Sequence, residues 1–238
     1  MSDTDKKDKY KGPTAQKIKT QADIVFCIDV TGSMKPCIEG VINGIATLVE
    51  GINSAAQVDF QLRLIAYRDK HDLNHAHEPW SIHPFTSSVD TFRAQLSQLV
   101  AFGGGDAPES TLDALFLALH SDWRPHKTHK TIILLTDADS HPKLHSTTWN
   151  QPLNDVRKII QDFQELDHVM LFMVTPAFPI YQEIERGMNN ARRQIIAKFV
   201  PQVSEQHKGL KSVNFNQLMQ MIGKTVSLTS IVVAQGEE

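Results

Sequence analysis

The chain has 238 residues, of which 41% are hydrophobic and 21% are charged, a size and composition that suit one α/β domain with a substantial core. Its formal net charge of −3 gives no electrostatic reason to expect a nucleic-acid partner. No stretch approaches the roughly 20 apolar residues that a membrane-spanning helix needs, so no membrane partner is expected either.

The N-terminal segment, residues 1–20, mixes Lys, Asp, Gly and Thr without apolar periodicity. It contains no apolar segment of the kind that a secretory signal requires. We interpret it as a mobile polar arm that precedes a domain spanning residues 21–225. The two cysteines, Cys27 and Cys37, suit a reducing compartment and no disulfide framework, and these features together predict a cytoplasmic protein.

The first elements of the domain follow one another as strand, helix and strand. Residues 22–29 (ADIVFCID) form a short apolar run ending in an acid, which is typical of a buried strand in a parallel sheet. Apolar residues then recur at the 3.6-residue period over residues 38–52, which predicts a helix. Residues 57–67 (QVDFQLRLIAY) alternate apolar and polar side chains and predict a half-buried strand.

The same alternation continues along the rest of the chain. The remaining predicted elements are, in order, a short edge strand at 80–85, a helix capped by Ser88 and running through Leu99, a helix at about 110–120, a strand at 130–137, a helix around 156–163, a strand at 168–175, and helices around 181–199 and 214–223. Residues 226–238 suit either a final strand or a docked tail. The pattern predicts a Rossmann-like α/β sandwich of three layers, whose mostly parallel central sheet has helices on both faces.

Oxygen-bearing side chains are concentrated in three predicted loops. The first reads Asp29-Val30-Thr31-Gly32-Ser33, the second Gly103-Gly104-Gly105-Asp106, and the third Thr136-Asp137-Ala138-Asp139. In a doubly wound sheet, ligands bind beyond the carboxyl ends of the strands, where such loops meet. Small hard cations such as Mg²⁺ prefer oxygen ligands, and hydroxyls supply oxygen without neutralising the ion. The loops therefore predict a metal site, for which the hydroxyl-rich first loop favours Mg²⁺ over Mn²⁺ or Ca²⁺.

The order and spacing of these loops resemble the metal-ion-dependent adhesion site (MIDAS) of von Willebrand factor A (VWA) domains. The family pattern D-x-[ST]-x-S matches Asp29, Thr31 and Ser33, and Asp137 in LLTD matches the acid of the family's third loop. The second loop of the family usually supplies a Thr, whereas this chain has Asp106. That departure resembles a branch of the family that reads D-x-T-G-S-M and then G-G-G-D-x-P-E.

The resemblance covers about residues 22–225 and implies a non-catalytic domain that binds a protein partner through a divalent metal. The metal ligands that it implies are Asp29, Thr31, Ser33, Asp106 and Asp137. A carboxylate of the partner would take the open position on the ion. Related free-standing VWA proteins act with kinases, phosphatases or ATPases, which are therefore the expected classes of partner. Because three direct carboxylates would make the site strongly anionic, we expect at least one of them to bind through water.

Four further residues near these loops are candidates for contacts with the ligands or with the partner. They are Glu109, Asp139, Arg68 and Asp69, of which Arg68-Asp69 also resembles the same family branch. An acid at a helix start, favoured by the helix macrodipole, explains Glu109 better and is an alternative for Asp106. A solvated loop acid is the alternative for Asp139.

The leading enzymatic alternative is a magnesium-dependent phosphohydrolase similar to the haloacid dehalogenases, with Asp29 as the nucleophile. Its motifs would have to follow one another in a fixed order, and this chain does not have that order. Thr136 comes after Gly105-Asp106, and nothing after Asp139 matches the late Gly-Asp acid pair of that family.

Three other interpretations are less consistent with the sequence. His71, His75 and His77 have spacings that a zinc site could use, but their context favours a polar loop, which could lie beside the metal edge and select partners. The glycines at 103–105 lack the Gly-Lys-Ser/Thr of a phosphate-binding loop. A structural interaction module with a vestigial metal site remains an alternative, although the complete first-loop motif disfavours it.

Overall fold

The computed structural model describes residues 19–72, 79–103, 108–125, 127–188, 194–199 and 210–236. Strands and helices alternate through these ranges, as the sequence predicted. Their bounds are β1 Lys19–Asp29, α1 Lys35–Ile52, β2 Gln57–Tyr67, β3 Ser81–Ile82, α2 Val89–Ser97, α3 Thr111–Leu119, β4 Thr128–Leu135, α4 Val156–Glu165, β5 Val169–Thr175, α5 Pro179–Met188, β6 Gln194–Phe199 and α6 Phe215–Gln235. A short 3-10 helix, Gly32–Met34, joins β1 to α1.

The described strands form a six-stranded sheet in the order β3-β2-β1-β4-β5-β6. All neighbouring pairs are parallel except β2 and β3, so the prediction of a mostly parallel sheet is confirmed. From β1 the chain adds β2 and β3 on one side and then crosses over to add β4, β5 and β6 on the other. The strand order therefore reverses between β1 and β4, and a crevice for ligands opens at such a point beyond the carboxyl ends of the strands.

Helices cover both faces of the sheet because its central strands are apolar on both faces. β4 and β5 are buried along their whole length, as expected for inner strands of a parallel sheet. On one face, Phe26 and Ile28 of β1 belong to a core shared with α1, α2 and α6. On the other face, Val25 and Cys27 belong to a core shared with α3, α4 and α5. The predicted three-layer sandwich is thus confirmed.

The helix predicted over residues 181–199 is wrong in its second half. α5 ends at Met188, and residues 194–199 form β6, which pairs in parallel with β5. Periodicity alone does not separate a short apolar strand from a segment of buried helix. The strand is stabilised by backbone hydrogen bonds to β5, a partner that the local sequence pattern does not reveal.

The C-terminal segment also differs from its prediction, because residues 226–235 are the second half of α6 rather than a strand or tail. The segment is rich in β-branched residues, which favours a strand locally. Its buried residues Val226, Ser227, Ser230 and Val233 nevertheless recur at helical spacing along one face. Across the described ranges, no helix combines the length and apolar character that crossing a membrane would require.

The N-terminal boundary lies slightly earlier than predicted. β1 begins at Lys19, so the last two residues of the predicted polar arm belong to the sheet. Thr20 is buried, and its hydroxyl lies 3.0 Å from that of Ser230 in α6. The rest of the predicted arm, residues 1–18, lies outside the described residues.

Candidate metal centre

Asp29, the last residue of β1, is fully buried and is held by three hydrogen bonds. One carboxylate oxygen accepts from the Thr31 N–H at 2.8 Å and from the Thr31 hydroxyl at 2.7 Å. The other oxygen accepts from the Thr136 hydroxyl at 2.7 Å. Burial raises the pKa of Asp29 to about 6, the three donors oppose this increase, and the nearby charge of Asp137 adds to it. The carboxylate is thus fixed in a site shielded from water.

Ser33 and Asp137 meet at this edge although 104 positions separate them in the chain. The Ser33 hydroxyl donates to the Asp137 carboxylate at 2.8 Å. Ser33 is exposed in the short helix after β1, and Asp137 is half-buried just after β4. Because β1 and β4 are parallel neighbours, their carboxyl ends bring the first and third loops together at the point where the strand order reverses.

Backbone hydrogen bonds define the shape of the first loop. The Val30 N–H donates to the Tyr67 carbonyl at 3.0 Å, and the Val30 carbonyl accepts from the Phe102 N–H at 3.1 Å. The Gly32 N–H donates to the Gly103 carbonyl at 3.1 Å. Gly103 has a φ of 74°, a conformation that glycine adopts at little cost. A Cβ on Gly32 would lie 3.3 Å from the Gly103 oxygen, a tight contact, so glycine at position 32 favours the close approach of the two loops.

The remainder of the second metal loop lies outside the described residues. Gly104, Gly105 and Asp106 belong to that gap, so the role of Asp106 stays a prediction. The contact between Gly103 and Gly32 shows that this loop starts directly beside the first one.

Glu109 and Asp139, two of the four further candidate residues, are joined by a backbone hydrogen bond beside the third loop. Glu109 is buried, and its N–H donates to the Asp139 carbonyl at 2.9 Å. The Glu109 carbonyl accepts from the His141 N–H, also at 2.9 Å. The Asp139 carboxylate accepts from the Ser140 N–H at 2.8 Å. Glu109 and Asp139 therefore connect the start of α3 with the loop that carries Asp137.

The other two candidates, Arg68 and Asp69, follow β2. The Arg68 guanidinium donates to the Val100 carbonyl at 2.5 Å and lies 3.8 Å above the ring of Phe102, a cation–π contact. The Asp69 carboxylate accepts from the Ser110 hydroxyl at 3.1 Å. These contacts tie the end of β2 to the segments that lead into and out of the second loop.

The structure brings His71 against two histidines of the β4–α4 connection. Its ring centroid lies 4.0 Å from that of His141 and 4.9 Å from that of His145. Burial lowers the pKa of His71, and His141 shifts it in the same direction. His75 and His77 lie outside the described residues. Among the residues that are described, no three His, Cys, Asp or Glu side chains are arranged to hold one metal ion, which gives no support to a zinc site.

The donors at the β1–β4 edge suit a hard cation. The hydroxyl protons of Thr31 and Ser33 point to the carboxylates of Asp29 and Asp137, so lone pairs on both hydroxyl oxygens remain available to an ion. Hydroxyl and carboxylate oxygens are ligands of the kind that Mg²⁺ accepts. The described part of the predicted ligand set holds two carboxylates, Asp29 and Asp137, and the third, Asp106, lies outside the described residues.

Thr136 belongs to the third predicted loop but was not among the predicted ligands, and the structure places it against Asp29. It is fully buried, its hydroxyl donates to Asp29, and the same oxygen accepts from the Ala138 N–H at 3.1 Å. It thereby connects the first and third loops. The available signal was its place between an apolar strand and Asp137, but Thr is common in strands and this position alone does not indicate the hydrogen bond.

The strand order and the loops at its reversal define a doubly wound α/β sandwich with polar side chains at its carboxyl edge. Comparison with protein families then identifies the class, since residues 23–199 match the von Willebrand factor A domain family. The match covers well over half of the chain, and the chain belongs to this family.

Two curated relatives share the domain. An alpha-protein kinase, vwkA, of Dictyostelium discoideum is 31% identical over 142 residues, which are 59% of this chain and 22% of the kinase. Hemicentin-2 of Mus musculus is 30% identical over 128 residues, which are 48% of this chain and 2% of that protein. The chain thus spans a small part of each. Among solved structures, proximal thread matrix protein 1 from the mussel byssus matches with a TM-score of 0.49 and 13% identity, over 91% of this chain and 49% of that one.

Proposed function

We propose that this domain binds a divalent metal ion, preferably Mg²⁺, between the ends of β1 and β4, and that the bound ion recruits a protein partner. The observation that carries the proposal is the contact between the Ser33 hydroxyl and the Asp137 carboxylate, 2.8 Å apart, beside the buried Asp29. This contact gathers oxygen donors from two distant loops at the place where a doubly wound sheet binds its ligands.

The proposed ligands differ in how they act. Thr31, Ser33 and Asp137 would hold the ion through their oxygens, and Asp106 would complete the set. Both Asp29 oxygens already accept hydrogen bonds, so Asp29 would act through water or through the Thr31 hydroxyl that it orients. With Asp29 in this role, at least one carboxylate of the set would bind the ion indirectly. When bound, the ion would supply a positive charge with an open position for a partner's carboxylate.

The proposed partner is a protein that presents an acidic residue at this edge. We propose a kinase, a phosphatase or an ATPase as the class of partner. That one of the relatives is itself an alpha-protein kinase is consistent with the first of these. We further propose that the domain is a non-catalytic, cytoplasmic scaffold that does not bind nucleic acid or membrane. Partner binding should therefore be lost when a chelator removes the ion. Partner binding that survives chelation would favour the structural module with a vestigial site.

The burial of Asp29 disfavours the phosphohydrolase alternative. In that reaction Asp29 would attack phosphorus, and a nucleophilic carboxylate needs an oxygen that faces the substrate. Here both oxygens accept hydrogen bonds from Thr31 and Thr136, and the side chain has no exposed surface.

Ser33→Ala tests the metal site with little disturbance of the fold, because this side chain is exposed. Urea unfolding should be measured with and without millimolar Mg²⁺ or Mn²⁺. A ligand at ~100 times its dissociation constant adds about 2.7 kcal/mol to the free energy of unfolding. We expect a gain of this order in the wild type and a clearly smaller one in Ser33→Ala, with equal stabilities in the absence of metal.

Ser54→Ala is the matched control, since Ser54 is exposed after α1 and remote from the metal loops. It should retain the full gain. Asp29→Ala is a poor test because it would remove the acceptor of three buried hydrogen bonds and destabilise the domain by itself. An absence of any metal-dependent gain in the wild type, or an undiminished gain in Ser33→Ala, would contradict the proposal.

A further inference from the structure

A connected group of buried hydroxyls lies directly behind the candidate metal edge. Tyr67 at the end of β2, Thr111 at the start of α3 and Tyr181 in α5 are all fully buried. The Thr111 hydroxyl lies 3.1 Å from that of Tyr67 and 3.3 Å from that of Tyr181. Thr136, whose hydroxyl donates to Asp29 at 2.7 Å, is near the Tyr67 hydroxyl. The group therefore lies between the two helices α3 and α5 and the buried carboxylate.

Tyr181 makes a second connection, to the backbone of the third loop. Its hydroxyl donates to the Ala138 carbonyl at 2.8 Å. The Ala138 N–H in turn donates to the Thr136 hydroxyl at 3.1 Å. Both polar backbone groups of Ala138 are thus held by side chains, and Ala138 directly follows Asp137. The two bonds therefore hold the residue directly beside Asp137, whose carboxylate accepts from Ser33.

We propose that Tyr181 is a positioning residue for the metal edge. Its hydroxyl holds Ala138 so that the Asp137 carboxylate faces the ion and the Ser33 hydroxyl. This inference rests on the proposed function, because it assigns Tyr181 a role toward the same metal. Tyr181 lies 44 positions after Asp137 and outside all three metal loops.

The chemistry of the groups gives the bond a defined direction. A carbonyl oxygen can accept but not donate, so the single proton of the Tyr181 hydroxyl is directed to Ala138. Burial raises the pKa of the Tyr181 hydroxyl, which therefore keeps this proton. Removing the hydroxyl would leave the Ala138 carbonyl without this donor, and the segment that carries Asp137 would be free to shift away from the geometry that favours the metal.

Tyr181→Phe removes one oxygen and keeps the aromatic ring. One hydrogen bond changes an equilibrium constant by roughly two- to tenfold, so we expect the variant to bind Mn²⁺ about two- to tenfold more weakly than the wild type. Titration calorimetry with Mn²⁺ measures this dissociation constant, and urea unfolding of the metal-free proteins measures stability separately. A merely structural hydroxyl would lower the stability and leave the dissociation constant unchanged.

Thr175→Val is the matched control. Thr175 ends β5 at the same edge of the sheet, is fully buried, and its hydroxyl has no hydrogen-bond partner in the described structure. Like Tyr181→Phe, this substitution deletes one buried hydroxyl, but we expect the Thr175→Val variant to bind Mn²⁺ with the same affinity as the wild type. Coupling between two sites is reciprocal, so if Tyr181 favours metal binding, bound Mn²⁺ should stabilise α5, the helix that carries Tyr181. We therefore expect Mn²⁺ to slow amide hydrogen exchange in α5 of the wild type, and to slow it less in Tyr181→Phe.

An equal Mn²⁺ dissociation constant in the wild type and Tyr181→Phe would overturn this inference alone. Equal weakening in Thr175→Val would overturn it too, because the effect would then not depend on Ala138. A wild type that binds no Mn²⁺ would overturn the proposed function and this inference with it. Thr111→Val, which removes the hydroxyl between Tyr67 and Tyr181, is the second variant if Tyr181→Phe does not fold. It should weaken binding in the same direction, and unchanged affinity would count against the inference.

Discussion

His129, near the start of β4, is a buried histidine with a consequence for the pH dependence of stability. It is 3% exposed, and its Nε2 lies 3.1 Å from the Thr131 hydroxyl. Burial lowers its pKa to about 3, and the neighbouring His168 and Lys130 shift it in the same direction. The folded domain therefore holds a neutral imidazole over a pH range in which the unfolded chain would protonate it.

We expect this residue to destabilise the domain as the solution becomes acidic. Below pH 6.5, the ordinary pKa of histidine, the unfolded state takes up a proton that the folded state does not bind until about pH 3. The contribution of His129 to the free energy of unfolding should therefore be fully present above pH 6.5. It should fall by up to roughly 1.4 kcal/mol per pH unit below that value.

His129→Gln replaces the titrating ring with a neutral side chain, so stability should fall less steeply between pH 6.5 and 4 than in the wild type. Urea unfolding across this range measures the difference in slope. Gln220→Ala, which changes an exposed side chain that does not titrate, is the control and should keep the slope of the wild type. Parallel curves for the wild type and His129→Gln would contradict the assignment.

At the scale of elements, α1 and α6 meet through glycines. A Cβ on Gly223 would lie 2.4 Å from the Leu48 carbonyl oxygen and 3.0 Å from the Gly51 Cα. A Cβ on Gly51 would lie 3.0 Å from backbone atoms of α6 in the same way. The two helix backbones are therefore in direct contact at this crossing, and side chains would force them apart.

Gly223→Ala should destabilise the domain although alanine is the better helix former by about 1 kcal/mol. The added methyl group overlaps backbone atoms that cannot turn aside, and overpacking of this kind costs on the order of 1–3 kcal/mol. We expect a lower urea midpoint for Gly223→Ala and an almost unchanged midpoint for Gln220→Ala, an exposed position on the same helix. A Gly223→Ala variant more stable than the wild type would show that the crossing is looser than described.

At the scale of the whole molecule, α6 completes the layer that covers one face of the sheet. Its second half buries Val226 and Val233. In the same half the Ser227 hydroxyl accepts from the Ala55 N–H at 3.1 Å, and the Ser230 hydroxyl contacts Thr20. These residues connect the C-terminal part of the chain to β1 and to the segment between α1 and β2.

A chain that ends at Thr225 should consequently be less stable by several kcal/mol, because burial of each valine contributes roughly 1.5–3 kcal/mol. It is also expected to aggregate more readily, since apolar surface of the sheet face becomes exposed. A chain that ends at Gln235 keeps all of α6 and serves as the control. Equal urea midpoints for the two chains would indicate that the segment after Thr225 is a dispensable tail.

Much of the fold can be predicted from the local sequence, because the way an element is buried sets the spacing of its apolar residues. Strands that are covered on both faces, such as those at residues 22–29 and 130–137, are mainly apolar whatever they pack against. In α1, which is buried on one face only, the apolar residues recur every 3.6 residues for the same reason. The alternation of these signals predicts the layers, and the acids that end two of the runs predict Asp29 and Asp137 as residues of the carboxyl edge.

The tertiary structure alone decided which groups those residues meet. The pairing of β6 with β5, the hydroxyl of Thr136 on Asp29, and the hydroxyl of Tyr181 on Ala138 join positions that are remote in the chain. A hydrophobic pattern records that a side chain is buried but not which partner it has there. Most buried polar groups nevertheless form a hydrogen bond, and the partner of each depends on which elements the fold brings beside it. The sequence by itself therefore determined the class of fold and the edge that carries the site, and three-dimensional packing determined how that edge is held.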